Sequence, residues 1–261
     1  MPRFVADLTL LFTELPFLDR FAAARAAGFR HVELPFPYAY EKNRLRDLLE
    51  ANDLAQVRFE LPAGDRERGE RGIAADPARV AEFRRGVDRA VDYAKALGVM
   101  RLSCLAGGVP PNFSKTEAME TLTANLIHTA DVLAGHGRTL LVEAINHHDA
   151  PGFLLNRTDQ LEAVLAAVDR PNVAIQYDVY QARREGETPS LDLAEHLDRI
   201  GYIHVADAPG RHQPGTGDID FPLLFAEIDR LGYDGYIGLD YRPDPDTPAS
   251  LAWIRELGLT L

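Results

Sequence analysis

Short apolar runs alternate with longer segments of helical periodicity along the whole chain. The apolar runs have the length and composition of buried strands. They cover residues 4–8, 31–34, 56–61, 100–105, 139–144, 173–177, 201–205 and 236–239. Helices are predicted over residues 16–27, 43–52, 78–97, 115–134, 159–168, 192–197, 222–231 and 248–257. This alternation is typical of parallel strands that are joined by crossover helices.

Eight such units predict one (β/α)₈ TIM barrel, an α/β fold, as a single domain over residues 1–261. Barrels of this kind typically run to ~250 residues as one domain. An open doubly wound sheet is the alternative, but that fold usually carries a glycine-rich phosphate loop after its first strand. The stretch at 9–15, TLLFTEL, contains no glycine. The closed barrel is therefore the preferred interpretation.

Composition narrows the range of partners. The chain has 28 Lys and Arg against 40 Asp and Glu, so its formal charge is −12. Such a chain repels phosphate backbones, which argues against a nucleic-acid partner and leaves a small-molecule substrate, even an anionic one, open. The one cysteine, Cys104, excludes a disulfide within the chain and favours a cytoplasmic location. We expect no membrane association, because no run approaches the ~18 apolar residues of a membrane helix; a homo-oligomer stays open.

Polar side chains mark the ends of the last four predicted strands: Glu143, Asp178, His204 and Asp240. The carboxyl ends of the strands meet at one mouth of a closed barrel, so these four should converge. Taken singly, each is more often a solvated charge or a hydrogen-bonded core residue. Together, carboxylates and one imidazole predict a divalent metal site, with Mg²⁺ or Mn²⁺ preferred and Zn²⁺ or Co²⁺ as alternatives.

Several longer motifs carry a family resemblance. They are Leu61-Pro-Ala-Gly-Asp65 with Gly69-Glu-Arg-Gly72, Val142-Glu-Ala-Ile-Asn146, Pro151-Gly-Phe153, Gln176-Tyr-Asp178, and the long loop Ala206-Asp-Ala-Pro-Gly-Arg-His-Gln-Pro-Gly-Thr-Gly217. From Phe12 to Tyr241 the chain resembles the hydroxypyruvate isomerase family, which includes the 2-oxotetronate isomerases. That family belongs to the xylose-isomerase-like barrel group, together with sugar 3-epimerases and endonuclease IV.

The resemblance implies an isomerase that interconverts an aldehyde and a ketone on adjacent carbons, such as hydroxypyruvate and tartronate semialdehyde, through an enediolate. In the family, two glutamates at the ends of strands five and eight transfer the proton. Glu143 matches the first, and Asp240 stands at the second position. Because aspartate is shorter by roughly 1 Å, this difference could cost ~10²-fold in rate. Either the site is re-spaced, or it binds metal with weakened catalysis, or Glu143 works with another acid.

Histidine at position 204 also departs from the resemblance, because hydroxypyruvate isomerases tend to carry glutamine there and sugar epimerases carry histidine. Three further residues are candidates for substrate binding: Arg211 in the loop after strand seven, Asp149 after strand five, and Arg71 in the loop after strand three. Arg211 could pair with a substrate carboxylate, although a solvated arginine is an equal alternative. Asp149 is otherwise a turn residue before Pro151.

Competing functions remain at this stage. A sugar epimerase or a polyol dehydratase would use a similar metal set, and a catalytically weakened descendant would only bind a ligand. A phosphodiesterase would need more histidine ligands and a basic groove, which the acidic charge disfavours. Glu33, which ends the second predicted strand, either lines the mouth or packs.

Overall fold

The computed structural model describes residues 3–261, and within them nine parallel strands form one sheet. The strands are β1 (Arg3–Asp7), β2 (His31–Glu33), β3 (Ala55–Gln56), β4 (Arg58–Glu60), β5 (Arg101–Cys104), β6 (Thr139–Glu143), β7 (Val173–Asp178), β8 (Ile200–Val205) and β9 (Tyr236–Leu239). Their order in the sheet is β3-β2-β1-β9-β8-β7-β6-β5-β4. The order of neighbours therefore runs once around a barrel.

The barrel closes through the third strand position, which β3 and β4 share. The prediction of one continuous run over 56–61 was wrong here, because the strand changes neighbour within it. β3 pairs with β2, β4 pairs with β5, and Val57 lies between them. The backbone nitrogen of Val57 donates to the carbonyl oxygen of Val32 at 3.0 Å. Eight strand positions are thus filled, and the predicted (β/α)₈ barrel is confirmed.

Helices follow the strands around the outside of the barrel. They are α1 (Arg20–Ala26), α2 (Lys42–Ala51), α3 (Val80–Leu97), α4 (Lys115–Ala134), α5 (Thr158–Val168), α6 (Val179–Arg184), α7 (Pro189–His196), α8 (Phe221–Arg230), α9 (Thr247–Ser250) and α10 (Ala252–Glu256). The helix predicted over 248–257 is divided at Leu251, and α6 was not predicted. Between residues 3 and 261, no helix combines the length and the apolar character that a membrane crossing requires.

Inward-facing positions alternate along each strand and so place the polar residues at one end of the barrel. Val5, Leu141 and Tyr202 form a small apolar cluster inside the barrel. Two residues further along the same strands are Asp7, Glu143 and His204. Because side chains two apart share a face, these polar groups stand above the apolar layer. The outer core between strands and helices is a separate, larger cluster.

Candidate active site

A cavity of about 550 Å³ opens at the carboxyl ends of the strands, and we call it the mouth cavity. Acidic side chains and one histidine line it from the strand ends: Asp7, Glu60, Glu143, Asp178, His204 and Asp240. Arginines line it from loops and from β4: Arg58, Arg66, Arg71, Arg211 and Arg242. The cavity therefore brings buried acids and arginines side by side.

Three of the four predicted metal ligands meet in the mouth cavity. One ligand atom each from Asp178, His204 and Asp240 lies within 4.8 Å of the others. The register of β7 against β8 places Asp178 beside His204, and Asp240 follows β9 directly. One oxygen of Asp178 caps α6, because it accepts from the backbone nitrogens of Tyr180 and Gln181 at 2.9 and 3.1 Å. Its other oxygen is left for the cavity.

Glu143 lines the same cavity but lies outside this group of three. Its Oε2 accepts a hydrogen bond of 2.5 Å from Nε2 of Gln176. The same amide nitrogen lies 3.5 Å from Nδ1 of His204, so Gln176 bridges Glu143 to the group. Burial and the nearby charge of Glu60 raise the pKa of Glu143 to about 8. A carboxyl group with that pKa can both take up and release a proton near neutral pH.

Asp240 is paired with Arg211, whose guanidinium binds its Oδ2 and lies 4.0 Å from Oδ2 of Asp178. Burial would lower the pKa of Arg211, but the charges of Asp240 and Asp178 outweigh burial and hold the pKa of Arg211 above its ordinary value. The backbone of Arg211 is left-handed, with φ of 56°, in a loop where its carbonyl accepts from the Arg242 nitrogen. Arg211 therefore reaches the metal ligands as well as the cavity.

The other two predicted substrate residues lie further out. Asp149 accepts hydrogen bonds from the Tyr180 hydroxyl at 2.8 Å and from Asn146 at 3.0 Å. It lines a neighbouring cavity of about 520 Å³ and is not among the residues of the mouth cavity. Arg71 lines both cavities from the loop between them. The structure thus brings Arg71 to the mouth and places Asp149 beside it.

The opposite side of the barrel holds a buried ion-pair network that the sequence analysis missed. Arg58 pairs with Glu33 at 2.5 Å and also with Glu60, and its guanidinium donates to the Ser103 hydroxyl at 3.0 Å. Burial would raise the pKa of Glu33, but His204 and Arg58 lower it to about 2. Arg58 and Glu60 flank Phe59, so their period-two spacing was the available signal.

Two further groups in the mouth cavity, His204 and Asp7, have shifted pKa values. Burial would lower the pKa of His204, but Glu33 outweighs that effect and raises it to about 9. Asp7, which the sequence analysis also missed, has its pKa raised to about 7 by burial, by Glu33 and by Asp240. Asp7 ends β1 as Glu143 ends β6, so the same strand-end signal applied to it. Without a cation, Asp7 and Glu143 are therefore partly protonated at neutral pH.

Comparison with known proteins places this architecture among relatives. The family described as "Xylose isomerase-like TIM barrel" matches residues 21–257. A 2-oxo-tetronate isomerase from Cupriavidus necator is 42% identical over 98% of this chain and 98% of its own length. A hydroxypyruvate isomerase from Escherichia coli is 43% identical over 97% of this chain and 98% of its own length.

Solved structures agree on the fold. A chain from Brucella melitensis, described as an AP endonuclease of family 2, is 37% identical with a TM-score of 0.95, covering 98% of this chain and 99% of that one. A 3-keto-D-glucoside 4-epimerase from Escherichia coli has a TM-score of 0.82 at 20% identity, covering 98% of this chain and 100% of its own. At that lower identity the likeness concerns the barrel alone.

Proposed function

The chain belongs to the xylose isomerase-like TIM barrel family and, within it, to the hydroxypyruvate and 2-oxo-tetronate isomerases, and we propose that it isomerises hydroxypyruvate or a 2-oxotetronate with a divalent metal ion. Membership in that group makes it an isomerase. The proposal that a metal ion assists the reaction rests on the group of Asp178, His204 and Asp240 in the mouth cavity.

The donor set fits a divalent ion. Two carboxylates and one imidazole within 4.8 Å of one another match the ligands that Mg²⁺, Mn²⁺, Zn²⁺ and Co²⁺ accept. Burial and Asp240 raise the pKa of Asp178, so the acids repel one another until a cation joins them. Asp178, His204 and Asp240 would hold the ion, with Glu143 as a fourth candidate. A bound ion supplies charge that stabilises the enediolate oxygens.

Glu143 is the proposed base. It takes the proton from the substrate carbon that bears the hydroxyl group, and the bonding pair of that C–H bond becomes the double bond of the enediolate. Its pKa near neutrality suits a group that must release the proton again. Gln176, which donates to Oε2 of Glu143, fixes the carboxylate in the cavity and leaves Oε1 for the substrate.

Asp240 is the proposed partner: it takes up a proton from solvent on Oδ1, the oxygen that Arg211 does not hold, and delivers it to the neighbouring carbon. The proton of the substrate hydroxyl passes to the former carbonyl oxygen, which completes the exchange of aldehyde and ketone, and Glu143 returns its proton to solvent. Arg211 holds its Oδ2, so the shorter aspartate is fixed by an ion pair where the family resemblance has glutamate. We therefore assign Arg211 chiefly to the orientation of Asp240. Arg71 is the candidate for the substrate carboxylate, since an arginine at the cavity wall can bind a carboxylate through two donors. Asp149, as predicted from sequence, remains a candidate for substrate hydroxyls that reach the neighbouring cavity.

A phosphodiesterase is the second candidate, because the Brucella melitensis structure carries the name of an endonuclease. A nuclease with several metal ions needs several histidine ligands. Within residues 3–261, the lining of the mouth cavity contains one histidine, His204, and one group of three clustered ligands. These observations favour the isomerase.

The test is proton exchange in D₂O. The protein is incubated with Mn²⁺ and hydroxypyruvate, and deuterium in hydroxypyruvate and tartronate semialdehyde is followed by NMR. We expect exchange in the wild type, a loss of about 10²–10⁴-fold in Glu143→Gln, and no change in the control Glu227→Gln, which removes a surface charge paired with Arg230. Absence of exchange with hydroxypyruvate, 2-oxotetronates and ketohexoses would overturn the isomerase. Exchange with ketohexoses alone would make it an epimerase.

A further inference from the structure

Glu33 is a fully buried carboxylate at the end of β2 that lies outside the lining of the mouth cavity. It touches His204, which reaches the cavity from the opposite side of the barrel. We propose that Glu33 is a positioning residue, which holds the ring of His204 so that Nδ1 is the atom offered to the metal ion. This inference rests on the proposed metal-assisted function.

The two ring nitrogens of His204 have different surroundings. Nε2 lies 3.1 Å from both carboxylate oxygens of Glu33. Nδ1 lies 3.9 Å from Oδ2 of Asp240, on the side of the other candidate ligands. An ionised carboxylate can only accept hydrogen bonds, so Nε2 must carry the hydrogen. When the ring is neutral, its lone pair is therefore on Nδ1, the ring nitrogen on the side of Asp240.

Arg58 keeps Glu33 in the form that this contact needs. Its guanidinium pairs with Glu33 at 2.5 Å and is itself buried, so the charge of the carboxylate is compensated without solvent. Arg58 also pairs with Glu60, which anchors the arginine from the other side. Glu33 is thus fixed between one permanent cation and one imidazole, and it has little freedom to turn away from His204.

Gly238 gives independent support, because it leaves the space in which the two side chains meet. A Cβ atom at this position of β9 would lie 2.5 Å from Cδ2 of His204 and still closer to Oε1 of Glu33. It would also lie 2.7 Å from the Tyr202 hydroxyl. Real Cβ atoms essentially never approach that closely, so the contact across the barrel requires glycine here.

We expect the contact between Glu33 and His204 to increase the affinity of the site for the metal ion. Histidine ligands commonly donate their second N–H to a carboxylate, which fixes the ring and makes the ligating nitrogen more basic. Loss of such a partner typically weakens metal affinity by about 10–100-fold. Glu33 fits that role through His204, without itself touching substrate or metal.

The experiment compares Mn²⁺ affinity in matched variants by electron paramagnetic resonance, which counts free Mn²⁺ and needs no turnover. Glu33→Gln should bind Mn²⁺ about 10–100-fold more weakly than the wild type. Glu60→Gln removes a charge from the same arginine but makes no contact with His204, and should weaken Mn²⁺ binding less than Glu33→Gln does. Equal weakening in both variants would overturn the inference, since it would trace the effect to Arg58. Unchanged affinity in Glu33→Gln would overturn it as well.

A second variant, Glu33→Asp, distinguishes a lost contact with His204 from a folding defect that Glu33→Gln could cause. Glu33→Asp keeps the charge that Arg58 needs but withdraws the carboxylate from His204, and it should also weaken Mn²⁺ binding. The ¹⁵N spectrum of histidine-labelled, Zn²⁺-loaded wild type should show Nε2 of His204 protonated and Nδ1 bound. The reverse assignment would contradict the inference while leaving the metal site intact. Failure of the wild type to bind Mn²⁺ would instead refute the proposed function itself.

Discussion

The two sides of the barrel mouth bury the same kinds of side chain in opposite ways. On one side, which we call the arginine half, Glu33 and Glu60 share the internal cation Arg58. On the other, the ligand half, Asp178 and Asp240 lie beside His204, and Gln176 links Glu143 to it. The side chain of Arg211 enters from a loop to pair with Asp240. In the arginine half each carboxylate has an ion-pair partner within the chain. The ligand half contains further side chains that can bind a cation.

The comparison shows that buried carboxylates with a structural role and those with a functional role lie on different sides of the barrel mouth. A buried carboxylate must be paired, protonated or bound to a metal, because an isolated charge is costly away from water. In the arginine half the pKa of Glu33 is low, because His204 and Arg58 outweigh its burial. In the ligand half the pKa of Glu143 is raised to about 8, because burial and Glu60 are not compensated. The uncompensated half is where a metal and a substrate can act.

The largest expected effect comes from removing the internal cation. Arg58→Met leaves Glu33 and Glu60 buried without their partner, and breaking a buried pair in this way typically costs about 3–5 kcal/mol. Urea unfolding at neutral pH measures the loss. The control is Arg46→Met, an exposed helix arginine, which should change the free energy of unfolding by less than about 1 kcal/mol. A small effect of Arg58→Met would mean that the network is not a structural unit.

The next effect tests the aspartate of the ligand half. Asp240→Glu should lower isomerase activity by up to about 10²-fold, because the longer side chain moves its carboxylate away from the place where Arg211 holds it. The measurement is kcat/KM with hydroxypyruvate at saturating Mn²⁺. Higher activity in the variant would show that aspartate weakens the site and that Arg211 does not compensate for the missing methylene.

The barrel could be predicted from hydrophobic alternation, and so could the end of each strand that carries Glu143, Asp178 and Asp240. Helix α6 could not, because its six residues follow the side-chain cap that Asp178 forms only in the fold. The ion pairs of Arg58 were missed for a related reason. Its partner Glu33 is 25 positions away on another strand, so only the barrel brings them together.

The break within the third strand was equally hidden in the sequence. The sequence predicts one strand over residues 56–61, and the change from β2 to β5 as neighbour is a property of closure rather than of local pattern. Arg211 was foreseen as a substrate ligand, but its pairing with Asp240 depends on a left-handed loop residue that no periodicity reveals.

A smaller effect is expected in the pH dependence of stability without metal. The pKa of Glu143 in the folded protein, about 8, lies above its ordinary value of 4.5. Its contribution to stability is therefore fully present below about pH 4.5 and is lost as the pH rises to 8. Urea unfolding of metal-free protein should show this decline, by at least about 1 kcal/mol, and Glu143→Gln should reduce it. A decline that is identical in the variant would assign it to other groups.

The smallest effect concerns Asp178. Asp178→Asn keeps the side-chain cap of α6 and removes repulsion with Asp240, so the metal-free protein should change in stability by less than about 1 kcal/mol. Mn²⁺ should nevertheless no longer stabilise the variant against heat. Strong destabilisation without metal would place Asp178 with the structural charges of the arginine half.

The most direct test is to locate the ion. Crystals soaked in MnCl₂ and measured for anomalous scattering should show one peak in the mouth cavity, bounded by Asp178, His204 and Asp240. The account predicts that peak in the ligand half, with Nδ1 of His204 as the contacting ring atom. A cavity without such a peak, or a peak beside Glu33 and Glu60, would contradict the division of charge between the two halves.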